Sequence, residues 1–154
     1  MTDMKPSILV TRAIFPDVIE RLAQYFDVDD NQEDLVLDSA ALRDRLAGKA
    51  GVLANAADRI DGELVGALPQ LRAVCNMAVG YNNLDLPALT AAGIVATNTP
   101  DVLTETTADF GWALLMATAR RVTEGEHYLR AGKWERWSYV MLVGMDVQGS
   151  TLGI

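Results

Sequence analysis

Short apolar runs alternate with helical segments along the first hundred residues of the chain. Four runs of strand length are apolar nearly throughout: residues 7–11 (SILVT), 51–55 (GVLAN), 72–78 (RAVCNMA) and 94–98 (IVATN). The segments between them, 15–26, 38–50, 61–71 and 84–93, carry helical spacing or helix start and stop residues, with Asp38 or Ser39 as the cap of the second segment. In a strand, successive side chains face opposite sides of the sheet, so a run that is apolar throughout has two apolar faces. Such runs, alternating with helices, predict an α/β domain, a parallel sheet with helices on both faces.

The pattern changes after the last of these strands. One long helix is predicted from residue 104 to about residue 131, with Thr104 or Thr106 as its cap. Its first half, residues 110–117, is apolar nearly all round, which is typical of a helix buried between two packed units. Its second half is polar.

An irregular apolar segment follows the long helix. Residues 132–149 (GKWERWSYVMLVGMDVQG) contain two tryptophans, a tyrosine and a Met-Leu-Val cluster, but no clean period. Such a segment more often covers a partner surface than stands in water. The final residues, 151–154 (TLGI), alternate as a strand that enters a buried sheet does.

The charge and the reactive side chains exclude several classes of function. Thirteen basic residues against 21 acidic ones give a net charge of −8, which argues against binding to nucleic acids or to anionic membranes. The single cysteine, Cys75, cannot form an internal disulfide, and its apolar surroundings predict a buried side chain. With one cysteine and one histidine, no metal-ligand cluster is expected. No signal peptide or membrane-spanning segment is recognisable, so the sequence predicts a cytoplasmic protein.

The stretch from residue 76 to residue 85 (NMAVGYNNLD) is the most informative candidate site. It follows a core strand, and open α/β sheets bind ligands at the carboxyl ends of their strands. Gly80 permits close approach of a ligand, and the consecutive amides of Ala78, Val79 and Gly80 could form an anion-binding nest. The alternative is an ordinary connection between a strand and a helix. Asn55 ends the neighbouring strand, so its side chain could face the same crevice.

Thr107 and His127 are two further residues whose side chains could take part in binding or chemistry. Thr107 lies in the first turn of the long helix, where a hydroxyl and free amides can hold a phosphate, although simple capping is the commoner use of such a residue. His127, the only histidine, falls among acidic residues in the polar half of that helix and is interpreted as a surface side chain.

The segment LRAVCNMAVGYNNLDLPALTAAGIVATNTPDVLTETTADFGWALLMATARR closely resembles the D-isomer-specific 2-hydroxyacid dehydrogenases, above all in VGYNNLD followed by NTPDVLTETTAD. The resemblance extends to the last residue and is strongest to glyoxylate/hydroxypyruvate and 2-ketogluconate reductases. It implies a flavodoxin-like substrate domain over residues 1–100. Residues 101–154 would then supply an interdomain helix, a dimer arm and the first strand of a Rossmann domain. Asn82 departs from the aspartate that is usual in the family.

The resemblance also implies a reaction, a cofactor and an assembly. Small 2-oxo acids would be reduced by NAD(P)H, with the substrate held by the backbone of Ala78, Val79 and Gly80 and by Asn55. Leu103 and Thr107 would touch the dinucleotide. A homodimer would form through the long helix and the arm 134–145.

The family's remaining catalytic parts are expected outside this chain. Its phosphate-binding loop, acidic ribose ligand, arginine, glutamate and histidine lie further along the family's sequence, so no catalytic residue is assigned here and residues 1–154 alone are expected to be inactive. Two other interpretations stay open at this point: a stand-alone flavodoxin-like binding module, and a relative that oxidises formate or phosphite.

Overall fold

The computed structural model describes residues 4–153, which form two compact units divided between Val102 and Leu103. The first unit contains a five-stranded sheet whose neighbouring strands all pair in parallel, in the order β2-β1-β3-β4-β5. Its strands are β1 Ser7–Val10, β2 Asp27–Asp29, β3 Gly51–Ala54, β4 Ala73–Asn76 and β5 Val95–Thr97. Its helices are α1 Pro16–Ala23, α2 Ser39–Leu46, α3 Gly62–Ala67 and α4 Leu86–Ala91. The predicted α/β class with a parallel sheet is therefore confirmed.

Three of these helices begin at an aspartate. The side chains of Asp38, Asp61 and Asp85 accept hydrogen bonds from the backbone N–H groups of Ala41 (2.8 Å), Leu64 (3.0 Å) and Ala88 (3.0 Å). Each carboxylate satisfies a free amide and faces the positive end of the helix dipole, and both effects stabilise the start of its helix. Of the two caps predicted for α2, Asp38 and Ser39, the structure shows Asp38.

The hydrophobic core lies on one face of the sheet. Leu9, Val52 and Val74 point from the central strands towards α2, α3 and α4 and are at most 3% exposed. The leucines of those helices complete the cluster, Leu42, Leu46, Leu64 and Leu89 among them. The apolar runs of the sequence thus form the buried centre of the unit, as their composition predicts.

The opposite face of the sheet is covered unevenly, and the burial predicted for Cys75 is wrong. Side chains of α1 and of the segment after it, Leu22 and Phe26, line an open apolar groove of about 350 Å³ together with Ile8, Leu53 and Cys75. Successive strand residues alternate between faces, so Val74 is buried while Cys75 is exposed. Helices lie on both faces as predicted, but α1 alone covers this one within the first unit.

The edge strand β2 was not predicted. Two of its three residues are aspartates, which are depleted in strands, so the segment carries no apolar signal. The strand is held by its parallel pairing with β1 and by Asp29, whose carboxylate lies 2.5 Å from the Arg45 guanidinium and 3.3 Å from the Lys49 ammonium. Charge on an edge strand also discourages pairing with other chains.

The second unit contains two helices in place of the single long helix predicted from residue 104 to about 131. Helix α5 spans Thr104–Ala119 and α6 spans Val122–Arg130, with Arg121 between them in the left-handed region (φ 54°). The carbonyl of Ala119 accepts a hydrogen bond from the Met145 N–H (2.8 Å), and Arg121 donates to the Val143 carbonyl (3.2 Å). Contacts with the arm at residues 134–145 therefore stabilise the break. No glycine or proline at the break predicts it from the sequence.

Two smaller expectations for this unit also fail. The N-cap of α5 is Leu103 without a side-chain hydrogen bond, so neither Thr104 nor Thr106 caps the helix. No residue of α5 is buried within residues 4–153 of this single chain, so burial of its apolar half between two packed units stays a prediction. Residues 151–153 form no strand, and Ile154 lies outside the described residues. An isolated terminal strand has no neighbour to satisfy its backbone groups.

Among residues 4–153, no helix has the length and apolar character needed to cross a bilayer.

Candidate functional site

Polar residues gather where β1, β3, β4 and β5 of the first unit end. Thr11 follows β1, Asn55 follows β3, the loop at residues 77–83 follows β4, and Asn98 follows β5. Because all these strands are parallel, their carboxyl ends meet at one edge of the sheet. The polar cluster is therefore a consequence of the topology, although its members are far apart in sequence.

Asp58 is the buried centre of this cluster. It is 6% exposed, and its Oδ2 accepts hydrogen bonds from the Thr11 hydroxyl (2.5 Å), the Asn55 backbone N–H (2.8 Å) and the Asn55 side-chain amide (2.7 Å). A buried carboxylate needs such donors to offset its lost hydration. Asp58 thereby ties the end of β1 to the end of β3.

Asn83 joins the loop after β4 to the same cluster. Its side-chain amide donates to the backbone carbonyls of Asn55 (3.1 Å) and Asp58 (2.9 Å). The Asn83 side-chain oxygen Oδ1 in turn accepts a hydrogen bond from the Asn76 side-chain amide (3.2 Å). The loop is thus fixed to the scaffold by side chains at both of its ends.

The backbone amides of Ala78, Val79 and Gly80 are free. Within residues 4–153, none of these three N–H groups donates a hydrogen bond. Val79 and Gly80 are exposed, and Ala78 is half-buried. Consecutive unpaired amides at the carboxyl edge of a sheet can bind an anion without any charged side chain.

Asn55 lies beside this loop, but its side chain is already engaged. Its amide nitrogen contacts Asp58 and, more distantly, the Thr11 hydroxyl (3.4 Å), and its oxygen accepts from the Ala57 N–H (2.8 Å). The structure therefore brings Asn55 together with the loop at 78–80 through Asn83. A direct contact between Asn55 and a ligand stays a prediction.

The other two candidates belong to the second unit, which is described by itself. Leu103 is the N-cap of α5, and the Thr107 backbone N–H donates to the Leu103 carbonyl (2.8 Å). Both residues are exposed, and the Thr107 hydroxyl makes no capping hydrogen bond. His127 is an exposed residue of α6 near Glu126, as predicted.

An ion pair at the end of β1 holds the connection that follows β2. Arg12 donates to both carboxylate oxygens of Asp34 (2.6 and 2.7 Å), and the Ala13 N–H donates to the same group (3.1 Å). The side-chain hydrogen bond from Arg12, followed by the one from the Ala13 backbone, lowers the pKa of Asp34 from 3.8 to about 2. Both side chains are partly exposed, so solvent screens the pair.

The lowered pKa of Asp34 predicts a specific acid dependence of stability. A carboxylate whose pKa is lower in the folded state stabilises the fold above its unfolded pKa, and the effect is lost as the pH falls through the folded value. We expect Asp34→Asn to lower the free energy of unfolding at pH 7, by an amount that stays constant to about pH 4 and vanishes near pH 2. Urea titrations at several pH values measure the difference. Asp17→Asn, which makes the same chemical change but removes no ion pair seen in the described structure, is the control.

Comparison with known proteins identifies the family. The family model described as "D-isomer specific 2-hydroxyacid dehydrogenase, catalytic domain" matches residues 8–145. The chain belongs to this family. A glyoxylate reductase from Thermococcus kodakarensis is 43% identical over 155 residues, which cover 98% of this chain and 46% of the relative.

Solved structures agree with that assignment. The TT0316 protein from Thermus thermophilus superposes with a TM-score of 0.86 at 39% identity, over 93% of this chain and 46% of that one. An NADPH-dependent glyoxylate/hydroxypyruvate reductase from Sinorhizobium meliloti, solved with NADP and malonate, gives a TM-score of 0.70 at 36% identity, over 96% and 44% of the two chains. The flavodoxin-like character of the first unit is thereby confirmed. The chain spans about half the length of the relatives it matches.

The sequence does not show which side chains hold the site together. Asp58 and Asn98 lie outside the predicted stretch 76–85, and Asn76 and Asn83 lie within it but were assigned no role. All four hydrogen-bond at the carboxyl edge. The available signal was an asparagine at or just after the ends of β3, β4 and β5. Asparagine donates and accepts hydrogen bonds with one side chain, which suits it to join backbone segments.

Proposed function

We propose that this chain supplies the substrate-binding part of a nicotinamide-dependent reductase of small 2-oxo acids, of the glyoxylate and hydroxypyruvate type. The observation that carries the proposal is the run of free amides at Ala78, Val79 and Gly80, at the edge where α/β sheets bind ligands. Family membership and relatives named glyoxylate reductase support the same reaction class.

The loop amides suit the carboxylate of such a substrate. A carboxylate accepts several hydrogen bonds, and neutral donors bind it without the hydration cost of burying a lysine. With the carboxylate fixed, the adjacent carbonyl carbon is held in one orientation for reduction. Asn55 stands next to the loop, and we assign it to the same substrate, with Asp58 and Asn83 holding its backbone in place.

The cofactor implied by the family is NADH or NADPH, which supplies the hydride when bound. On this chain, Leu103 and Thr107 are the proposed contacts. The exposed Leu103 side chain offers an apolar surface, and the Thr107 hydroxyl is not used for capping. Glu105 stands in the first turn of α5, where its negative charge disfavours a phosphate. These residues therefore fit contact with an uncharged part of the dinucleotide better than with its phosphates.

An activity assay tests the proposed reaction. We expect the protein, produced at its full natural length, to oxidise NADH or NADPH with glyoxylate or hydroxypyruvate. Glycolaldehyde, which lacks the carboxylate, should react with a kcat/KM lower by about a hundredfold or more, because the amides would face no charge. Equal rates with glycolaldehyde and glyoxylate would contradict a carboxylate site.

We also propose that the second unit forms a homodimer. Large apolar side chains of α5 and of the arm 134–145 are exposed there, Phe110, Trp112, Leu114, Trp134, Trp137 and Val140 among them. Each such side chain gains about 1.5–3 kcal/mol when it leaves water. A two-fold axis would let one arm cover the helix of the other copy, which buries both sets at once.

Removing two aromatic side chains tests the dimer. Trp137 packs edge-on against Tyr139 with ring centres 4.3 Å apart, so these two aromatic side chains of the arm contact each other. We expect Trp134→Ala with Trp137→Ala to weaken association by at least about tenfold, measured by analytical ultracentrifugation. Tyr25→Ala, which removes an exposed aromatic ring from the first unit, is the control. A wild-type protein that sediments as a monomer at tens of micromolar would refute the proposal.

A further inference from the structure

Each of three consecutive carbonyl groups in the candidate loop is held by its own donor. The Ala78 carbonyl accepts from the Thr99 backbone N–H, the Val79 carbonyl from the Asn98 side chain, and the Gly80 carbonyl from the Asn76 side chain, all at 2.9 Å. Two of the donors come from the segment after β5, and the third from the end of β4. The loop is therefore fixed from both sides.

This pattern determines where the amides point. In a trans peptide the C=O and the following N–H lie in one plane and point in opposite directions. A carbonyl held against the protein thus turns the next N–H away from it. The ties at residues 78, 79 and 80 orient the amides of Val79, Gly80 and Tyr81, and none of these donates a hydrogen bond within residues 4–153.

The side chains that make these ties are themselves fixed. Asn76 is 2% exposed and exchanges two amide hydrogen bonds of 3.2 Å with Asn83. Asn83 also donates to the carbonyls of Asn55 and Asp58, which can only accept. These two bonds determine which end of the Asn83 side chain is the NH₂ group and which is the oxygen. Asn76 consequently presents its NH₂ group to Gly80.

We propose that Asn98 and Asn76 are positioning residues, which hold the Gly80 and Tyr81 amides ready for the substrate carboxylate. The Tyr81 amide thereby joins the candidate donors. This inference rests on the proposed function, because it assumes that a small carboxylate occupies the loop. Without the hydrogen bond from Asn98 or Asn76, the peptide plane can rotate. Its carbonyl oxygen would then face the carboxylate anion and repel it.

Asn98→Ala in the full-length protein is the leading test. Asn98 is only half-buried, so its loss leaves the core intact, whereas replacement of the buried Asn76 risks the fold. We expect the KM for glyoxylate and the Kd of oxamate, an unreactive carboxylate probe, to rise about tenfold. That is the effect expected when the Gly80 amide loses its hydrogen bond to the charged carboxylate. The kcat should change less than about twofold, since the reacting carbonyl is not contacted.

Asn31→Ala is the control. Asn31 is an asparagine that donates two hydrogen bonds to backbone carbonyls, those of Thr11 and Leu35 (both 2.8 Å), but it does not touch the loop. Its replacement should lower the thermal midpoint and leave both KM and Kd unchanged. A purely structural role for Asn98 would give the same result as this control.

The outcomes separate this inference from the proposed function. If the wild type reduces glyoxylate and Asn98→Ala keeps its KM, the positioning role is wrong and the proposed function stands. If the wild type reduces no 2-oxo acid but binds oxamate, and Asn98→Ala weakens that binding, the positioning role stands and the reductase proposal fails. A wild type that neither reduces 2-oxo acids nor binds oxamate overturns both.

Discussion

Gly80→Val should raise the KM for a 2-oxo acid by at least about tenfold while changing the free energy of unfolding by less than about 1 kcal/mol. A Cβ atom at Gly80 would meet no heavy atom within 4 Å, and the residue does not adopt a positive φ. Glycine is therefore not required there for folding. A branched side chain beside the free amides would instead occupy the space through which a carboxylate approaches them.

A second glycine provides the control for this substitution. Gly66 in α3 is also exposed, and a Cβ atom there also meets nothing within 4 Å. Gly66→Val should leave both kcat and KM at their wild-type values. The two variants are compared by steady-state kinetics and by urea denaturation. If Gly80→Val retains the wild-type KM, the loop is no more than a connection between β4 and α4.

The sheet could be predicted because its signal is local. The runs at β1, β3, β4 and β5 are apolar on both sides, and helical segments separate them, so each element carries its own pattern. The acidic strand β2 has no such pattern, since it exists through pairing with β1 and through ion pairs with Arg45 and Lys49. Its position depends on residues distant in sequence.

The break between α5 and α6 was missed for a related reason. The sequence around Arg121 has good helix formers and lacks glycine and proline, so local propensity continues the helix. The segment at 143–145 competes for the Ala119 carbonyl and for the Arg121 guanidinium. Tertiary hydrogen bonds therefore override the local preference. Cys75 shows the same limit, because which face of a strand stays open is decided by the placement of helices.

The candidate site was predicted in part. The loop at 78–80 could be found because a glycine follows a core strand, and strand ends are where α/β folds bind ligands. The residues that fix the loop could not be found this way. Asn83 reaches the Asn55 carbonyl across 28 positions of the sequence, and Thr11 reaches Asp58 across 47. Such contacts become visible only when the strands are placed side by side.

Asp58→Ala should be the most destabilising substitution at the candidate site. It would leave the buried Thr11 hydroxyl and the half-buried Asn55 N–H and side-chain amide without their common acceptor. An unsatisfied buried donor costs about 1–3 kcal/mol. Because the three donors can partly rearrange towards other acceptors, we expect a total loss of about 3 kcal/mol. Urea denaturation at pH 7 measures this loss directly.

Two further variants identify the cause of the loss. Asp58→Asn keeps one oxygen acceptor at nearly the same place, so it should recover part of the stability. Asp44→Ala removes an exposed carboxylate of the same unit, with 79% of its side chain accessible, and should stay within about 0.5 kcal/mol of the wild type. Because Asp58 also fixes the backbone of Asn55, Asp58→Asn should raise the KM for glyoxylate as well. If Asp58→Ala is as stable as Asp44→Ala, the buried hydrogen bonds do not hold the carboxyl edge together.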